Sequence, residues 1–343
     1  MTTPTPNTTS ATSADAIRAP KIEDREAFEG QLRKALNSHA VDAIMDCLGK
    51  FGPMGLREPT NRGATPLLQA AQANSLECAR LLLPFSDTNA GLPTNGETAL
   101  IVAARNGVAP LVSLLLPVSD PNRKSTFGMT ALMHAARLDS PECLNILMPA
   151  SDAKAQNKEG RTALMAAAIS GSPECVRALL PASDIDARDN LGRTALMLAA
   201  EMAESGLPNV QALLSHGNPD INLTDDNGDT ALAHAVSGKG DVRIVEALLP
   251  GSDISIRNHN RNSAFEFAMA ARNHACVDAM SEKADRDAVE RAFRMFGAEG
   301  MPRYAARLEA QELRVESGLP TRDAADDHAQ MSEVSQKRHP SRI

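Results

Sequence analysis

At 343 residues with a formal net charge of −8, the chain lacks the Lys and Arg surplus that binding to a phosphate backbone requires, so nucleic acid is not an expected partner. Aromatics are scarce (no Trp, one Tyr, eight Phe) while Ala, Leu and Met are plentiful, a composition suited to thin helical layers rather than one thick core. No stretch reaches the roughly 20 apolar residues of a membrane span, and the N-terminus shows neither the basic start nor the apolar core of a secretory signal, so the expected location is cytoplasmic with no membrane contact.

In chain order, residues 1–23 are rich in Thr, Ser and Pro and read as a disordered tail, with a secretion address as the functional alternative. Residues 24–59 become periodic: Phe28, Leu32, Ala35 and Leu36 precede Val41, Ile44, Met45 and Leu48, as in two short helices separated by Asn37-Ser38-His39. From residue 60 to 283 one pattern recurs. Its first marker is the threonine of Thr-Ala-Leu or Thr-Pro-Leu, at Thr65, Thr98, Thr130, Thr162, Thr194 and Thr230, with Ser263 in the seventh place. The steps are 33, 32, 32, 32, 36 and 33 residues. A second marker, the aspartate after a Leu-Pro-x-Ser stop, falls in phase at Asp87, Asp120, Asp152, Asp184 and Asp253, with Asp220 as a variant.

A period near 33 holds two short helices and a turn, a unit that buries its apolar face only by stacking on its neighbours. In the copy at 159–187, Thr162 opens a run of small residues (Ala163, Ala166, Ala167, Ala168) with Leu164 and Met165 as larger anchors, which predicts a first helix. Gly171 ends it; Ser172-Pro173-Glu174 supplies a cap and a proline for the next helix, along which Cys175, Val176, Leu179 and Leu180 form an apolar stripe. Pro181 stops that helix. In the fifth copy the segment Glu201 to Pro208 predicts a longer turn between the helices. Residues 284–315 offer two more helices as a C-terminal cap, one carrying Val289, Ala292, Phe293 and Phe296, the other Leu308 and Leu313, and residues 316–343 read as a polar tail with a basic end.

These copies resemble the ankyrin repeat, whose pattern runs Gly-x-Thr-Pro-Leu-His, two alanines, a glycine turn, a Val-x-x-Leu-Leu helix and a closing Gly-Ala-Asp. The resemblance spans about residues 60–280 and rests on some six in-phase copies. It implies an all-α ankyrin-repeat solenoid of stacked helix-turn-helix units with hairpin-like tips, 24–59 being a degenerate N-terminal cap. The chain departs from the family where proline follows threonine only at Pro66. The histidine place holds Leu68, Ile101, Met133, Met165, Met197, Ala233 and Glu266, so methionine packing is expected to replace the family's Thr/His pairing. Cys78, Cys143, Cys175 and Cys276 each follow their marker by thirteen residues and are expected to be reduced core residues, since stacked layers stand about 8–10 Å apart and a disulfide needs Cα atoms within about 7 Å.

No nucleophile beside a base, no split carboxylate pair and no metal-ligand spacing emerges, so neither catalysis, cofactor nor metal is expected. His134 and His234 stand about one hundred residues apart, at a position that ankyrin repeats vary freely and that is expected to face outward. The resemblance implies that a protein partner meets the hairpin tips and the exposed face of the first helices. Over the third to fifth copies those places hold Phe127, Met129, Arg137, Leu138, Lys158, Arg161, Ile169, Leu191, Arg193, Glu201 and Met202, an apolar strip edged with arginine. The expected function is a non-catalytic, monomeric protein-interaction scaffold or adaptor. The alternative is a secreted effector, or an enzyme inhibitor or immunity protein, that uses the array for targeting.

Overall fold

The computed structural model describes residues 64–316, apart from 171 and 239, together with 40–51 and isolated positions between 30 and 38. The two expected tails, except Glu316, and most of the N-terminal segment 24–59 lie outside the described residues. Among those described, helices joined by turns make up the fold, with a lone β-bridge between Thr224 and Thr230.

Every repeat begins with an inner helix directly after its marker: Pro66–Gln72, Ala99–Arg105, Ala131–Arg137, Ala163–Ser170, Ala195–Glu201, Ala231–Ser237 and Ala264–Ala270. The cause is local. The marker hydroxyl accepts the backbone N–H three residues on, for example from Ile101 (3.3 Å), Met133 (3.3 Å) and Met165 (3.4 Å), which satisfies a donor left open at a helix start. In the seventh repeat Ser263 does the same for Glu266, whose carboxylate accepts the Ser263 N–H in return at 2.7 Å. In the fifth, the Met197 sulfur accepts the Thr194 N–H at 3.4 Å, so a methionine in the histidine place serves the cap as well as the packing.

An outer helix follows each inner one, at Leu76–Leu82, Ala109–Leu115, Pro141–Leu147, Pro173–Leu179, Ala203–His216, Val242–Leu248 and His274–Met280. Inner helices pack on inner helices of adjacent repeats, and outer on outer. One buried cluster therefore runs through the array, from Leu67 and Leu100 through Leu132, Leu164 and Leu196 to Leu232 and Phe265. Fully buried alanine pairs such as Ala135-Ala136 and Ala167-Ala168 let the inner layers approach closely. Stability of such a stack is a sum of repeat and nearest-neighbour contributions.

The Leu-Pro-x-Ser-Asp stop forms a short 3-10 turn followed by an Asx turn, in which Asp87, Asp120 and Asp253 accept the N–H two residues on at 2.9–3.0 Å. The same loops stitch neighbours together: Asn89 accepts from Asp120 N (2.8 Å), Asn122 from Asp152 N (2.8 Å) and Asn222 from Asp253 N (2.8 Å). The recurring Ser-Asp pairs are thus turn chemistry.

The fifth repeat corrects one expectation. Its extra residues do not lengthen a loop; they extend the outer helix to fourteen residues, Ala203–His216, with Pro208 inside. Asn209 then occupies the place that Cys175 holds one repeat earlier, fully buried, and its amide donates to Ala167 O (3.1 Å) and Ala168 O (2.9 Å) at the end of the preceding inner helix. Those bonds anchor the extension to its neighbour, which is why added residues fold as helix here.

After the seventh repeat come the helices Arg286–Gly300, broken at Gly297, and Pro302–Glu316. Buried Asp278 caps the second by accepting the N–H groups of Arg303 (3.0 Å) and Tyr304 (3.1 Å), while Phe293 meets Tyr304 edge-on at 5.2 Å.

Cys78, Cys143, Cys175 and Cys276 are buried free thiols, and burial raises the pKa of Cys143, Cys175 and Cys276. Alkylation is therefore expected to be slow in the native state and to reach all five cysteines only after unfolding without reductant. Mass analysis checks this, and a bridge between any two of the four would contradict the stacking.

Candidate interaction surface

Successive repeats are joined at their tips by turns built on one residue, Asn157, Asp189, Asp225 or Asn258 in the fourth to seventh repeats, whose side-chain oxygen accepts two backbone N–H groups of its own turn at 2.9–3.0 Å. Neighbouring tips bond directly: Thr126 N donates to Asn95 O (2.7 Å), Lys158 N to Phe127 O (3.1 Å), Asn190 N to Glu159 O (2.9 Å), Asp226 N to Leu191 O (3.0 Å) and His259 N to Asn227 O (2.9 Å). That spacing requires the tip glycines. Gly160 has φ +76, and a Cβ on it would lie 2.7 Å from the Asn190 backbone nitrogen. At the last tip Arg261 adopts φ 64 in the glycine place; no further tip among the described residues bonds onto it, so only the conformational cost remains.

Rigid tips put specific side chains into solvent. Phe127 is 67% exposed, Leu191 56% and Leu138, just after the third inner helix, 45%. Only four other large hydrophobics among the described residues are exposed (Met45, Val118, Met295, Leu313), and none lies on the tips or inner helices of these repeats. On the tips and inner-helix ends, exposed large apolar side chains among the described residues therefore occur in the third and fifth repeats. Single exposed hydrophobes need no explanation, but a row held on stiff turns does.

The other residues of the strip are placed differently. Met129 and Ile169 are half-buried against the core, and the Met129 sulfur accepts from Asn157 Nδ2 at 3.3 Å, so they support the surface rather than form it. Met202 and Glu201 are likewise half-buried. Between the apolar tips of Phe127 and Leu191 stands Glu159, and Arg161 lies 2.9 Å from it. Arg161 also lies 3.6 Å from Asp189; Arg193 lies 2.9 Å from Asp189 and 3.7 Å from Glu201. Buried Asp189 is the hub of this network. Burial raises its pKa, but the N–H groups of Arg193 and Leu191 and the Arg193 guanidinium outweigh that and hold it below its usual range. Arg137 and Lys158 are exposed and have no ion-pair partner among the described residues.

His134 does not face outward as expected: it is 5% exposed. Glu97 and Arg105 of the preceding repeat stand beside it, Glu97 Oε1 3.9 Å from His134 Nε2 and Arg105 Nε 3.2 Å from Glu97 Oε2. Burial first, then the charges of Arg137 and Arg105, pull its pKa down to about 4, so the ring is neutral at pH 7. Sequence reasoning missed this because the covering groups come from another repeat. It also missed a shallow groove of ≈ 430 Å³ between the sixth and seventh repeats, walled by Val236, Phe267 and Ala270 and opened by Gly238 and Gly240. Among the described residues no His, Cys, Asp and Glu cluster has a metal-holding arrangement, and no helix is long and apolar enough to cross a membrane.

A family model for ankyrin repeats in three copies matches the chain five times in overlapping frames, at residues 32–125, 67–156, 100–189, 132–225 and 202–290. The chain belongs to the ankyrin repeat family. Ankyrin arrays act in protein–protein interaction and are typically not enzymes. A search of curated proteins found no match. In this ankyrin array the third and fifth repeats carry Phe127 and Leu191 on their tips and Leu138 at an inner-helix end, all three exposed.

Proposed function

We propose that this ankyrin array is a non-catalytic scaffold that docks a protein partner across its third to fifth repeats, with Phe127, Leu138 and Leu191 as apolar anchors. The observation that carries the reading is the exposure of these three side chains on hydrogen-bonded tips and an inner-helix end, where they bind without first having to be ordered. Met129, Ile169 and Met202 back the anchors. Arg137 and Lys158 supply the charge on the rim, and Arg161 and Arg193 hold the tips in register through Asp189.

Capture of a partner by the full chain, followed by affinity measurement with Phe127→Ala plus Leu191→Ala, tests the reading. Each central anchor is expected to contribute at least about 2 kcal/mol, some thirtyfold in affinity, so the double variant is expected to lose detectable binding. Lys158→Glu is expected to slow association, more so at low salt. Both variants change exposed residues, and their urea midpoints are expected to match the parent. Full affinity in a folded double variant moves the interface elsewhere, the sixth-to-seventh-repeat groove being the next candidate.

A further inference from the structure

We propose that residues 319–334 of this chain fold back onto the last inner helix, Ala264–Ala270, cover its open face and fill the groove beside it. The proposal is independent of the docking surface on the third to fifth repeats.

The first support is that the inner layer ends without a cover. The helices Arg286–Gly300 and Pro302–Glu316 pack on the outer helix His274–Met280, and among the described residues no further inner helix lies beyond Ala264–Ala270. A terminal repeat is expected to turn a polar face outward, and this one does so only in part. Glu266, in the place of Met133, Met165 and Met197, lies 2.6 Å from Arg257. Phe267, however, stands where Ala166 and Leu198 are buried, and Met269 where Ala136, Ala168 and Ala200 are buried. Both are only half-buried, and Ala270 and Ala271 after them are exposed. Phe267, Ala270 and Ala271 also line the groove of ≈ 430 Å³. Large apolar side chains left partly open at the end of a stack call for a cover.

The second support is charge. Arginine flanks this helix at both ends, in places where other repeats use residues tolerant of a left-handed backbone. Arg261 (φ 64) stands in the place of Gly160 and Gly192, and Arg272 (φ 52) in that of Asn74, Gly107 and Asp139. Arginine in that conformation costs stability, so the fold alone does not ask for it. Arg257 is taken by Glu266 and also feels Asp285, whereas Arg261 and Arg272 are exposed and have no ion pair among the described residues. Two unbalanced positive charges therefore bracket the open face of a protein whose net charge is −8.

The chain beyond Glu316 matches both features. Between 322 and 333 four acids (Asp323, Asp326, Asp327 and Glu333) stand against Arg322 alone, which suits the two arginines. Leu319, Met331 and Val334 supply apolar contacts, and the small Ala324 and Ala325 allow the close approach that alanine pairs give the inner layers elsewhere. The reach is sufficient. The helix Pro302–Glu316 runs alongside the outer helix, with Arg303 bonded to Asp278 and Arg307 to Ser281, so the chain leaves it on the side where the inner helix begins. Residues 317–322 extend up to about 20 Å, and the inner helix is itself only about 10 Å long. A partner entering the groove would first have to displace this segment.

The test uses the purified full chain with Ala271→p-benzoylphenylalanine as a photo-cross-linking probe at the groove, read by mass analysis after digestion. A cross-link to residues 319–334 of the same chain is expected, with a yield independent of protein concentration. That yield is expected to exceed about fivefold the yield from Arg291→p-benzoylphenylalanine, an exposed position on the neighbouring cap helix. Arg261→Gly with Arg272→Gly removes both charges while relieving the backbone, so the variant is expected to stay folded and to lower the yield about threefold or more. Cross-links joining two chains would make the occupant a second copy and overturn the proposal. Equal yields from the two probes, a yield unchanged by the glycine variant, or no cross-link to 319–334 would overturn it as well.

Discussion

Leu164→Ala is expected to lower the unfolding free energy by about 2–5 kcal/mol, read as a shift of the urea midpoint. Leu164 is 1% exposed in the inner helix Ala163–Ser170, between the inner helices Ala131–Arg137 and Ala195–Glu201. Both flanking layers present alanines already packed closely, so they have little freedom to move into the space that the lost methyl groups leave, which places the cost toward the upper end. The location has a second consequence. Neighbouring repeats are coupled only through their shared interface, so weakening the central one is expected to broaden the transition, the two halves unfolding less cooperatively. A loss under 1 kcal/mol with an unchanged slope would mean that Leu164 does not face the stack.

The repeat architecture was readable because its chemistry recurs in every period: the marker hydroxyl caps the inner helix, the proline and serine punctuate the outer one, and the alanine pairs mark the tight layer. The exposure of Phe127 and Leu191 was readable for the same reason, since the tip position is the same in each copy. What could not be read is what one repeat does to another. The pairing of Arg161 with Asp189, the support of Met129 by Asn157 and the covering of His134 by Glu97 and Arg105 all join residues about 28–37 positions apart, across an interface whose geometry no single period contains. Met129 and Ile169 were assigned to the surface by position, yet their side chains are long enough to reach back to the core. In the fifth repeat the insertion joined the outer helix because buried Asn209 ties it to the carbonyls of Ala167 and Ala168, a bond that depends on stacking.

Asp189→Ala is expected to cost about 3–5 kcal/mol, the usual penalty for removing one partner of a buried charge pair. The Asp189 side chain is 1% exposed and accepts from Leu191 N (2.9 Å), Arg193 N (3.0 Å), Arg193 Nε (3.1 Å) and Arg193 Nη2 (2.9 Å). Alanine leaves the two backbone donors and the Arg193 guanidinium, itself only 16% exposed, without that acceptor. Asp189→Asn separates the two roles. It keeps an oxygen for the turn, as Asn157 does one repeat earlier, but removes the charge that holds Arg193 and Arg161, so a smaller loss is expected. The pH dependence follows from the lowered pKa. A carboxylate with a folded pKa below its ordinary 3.8 contributes its stability in full above that value and loses it as pH falls through the folded value. The gap in urea midpoint between the parent and Asp189→Asn is therefore expected to be constant from pH 7 to about pH 5 and to shrink on further acidification. A gap that persists unchanged at about pH 2 would show that the turn, not the charge, is what Asp189 supplies. Since this carboxylate sets the Leu191 tip, the alanine variant is also expected to weaken partner binding without touching the partner, which separates it from the anchor variants by its loss of stability.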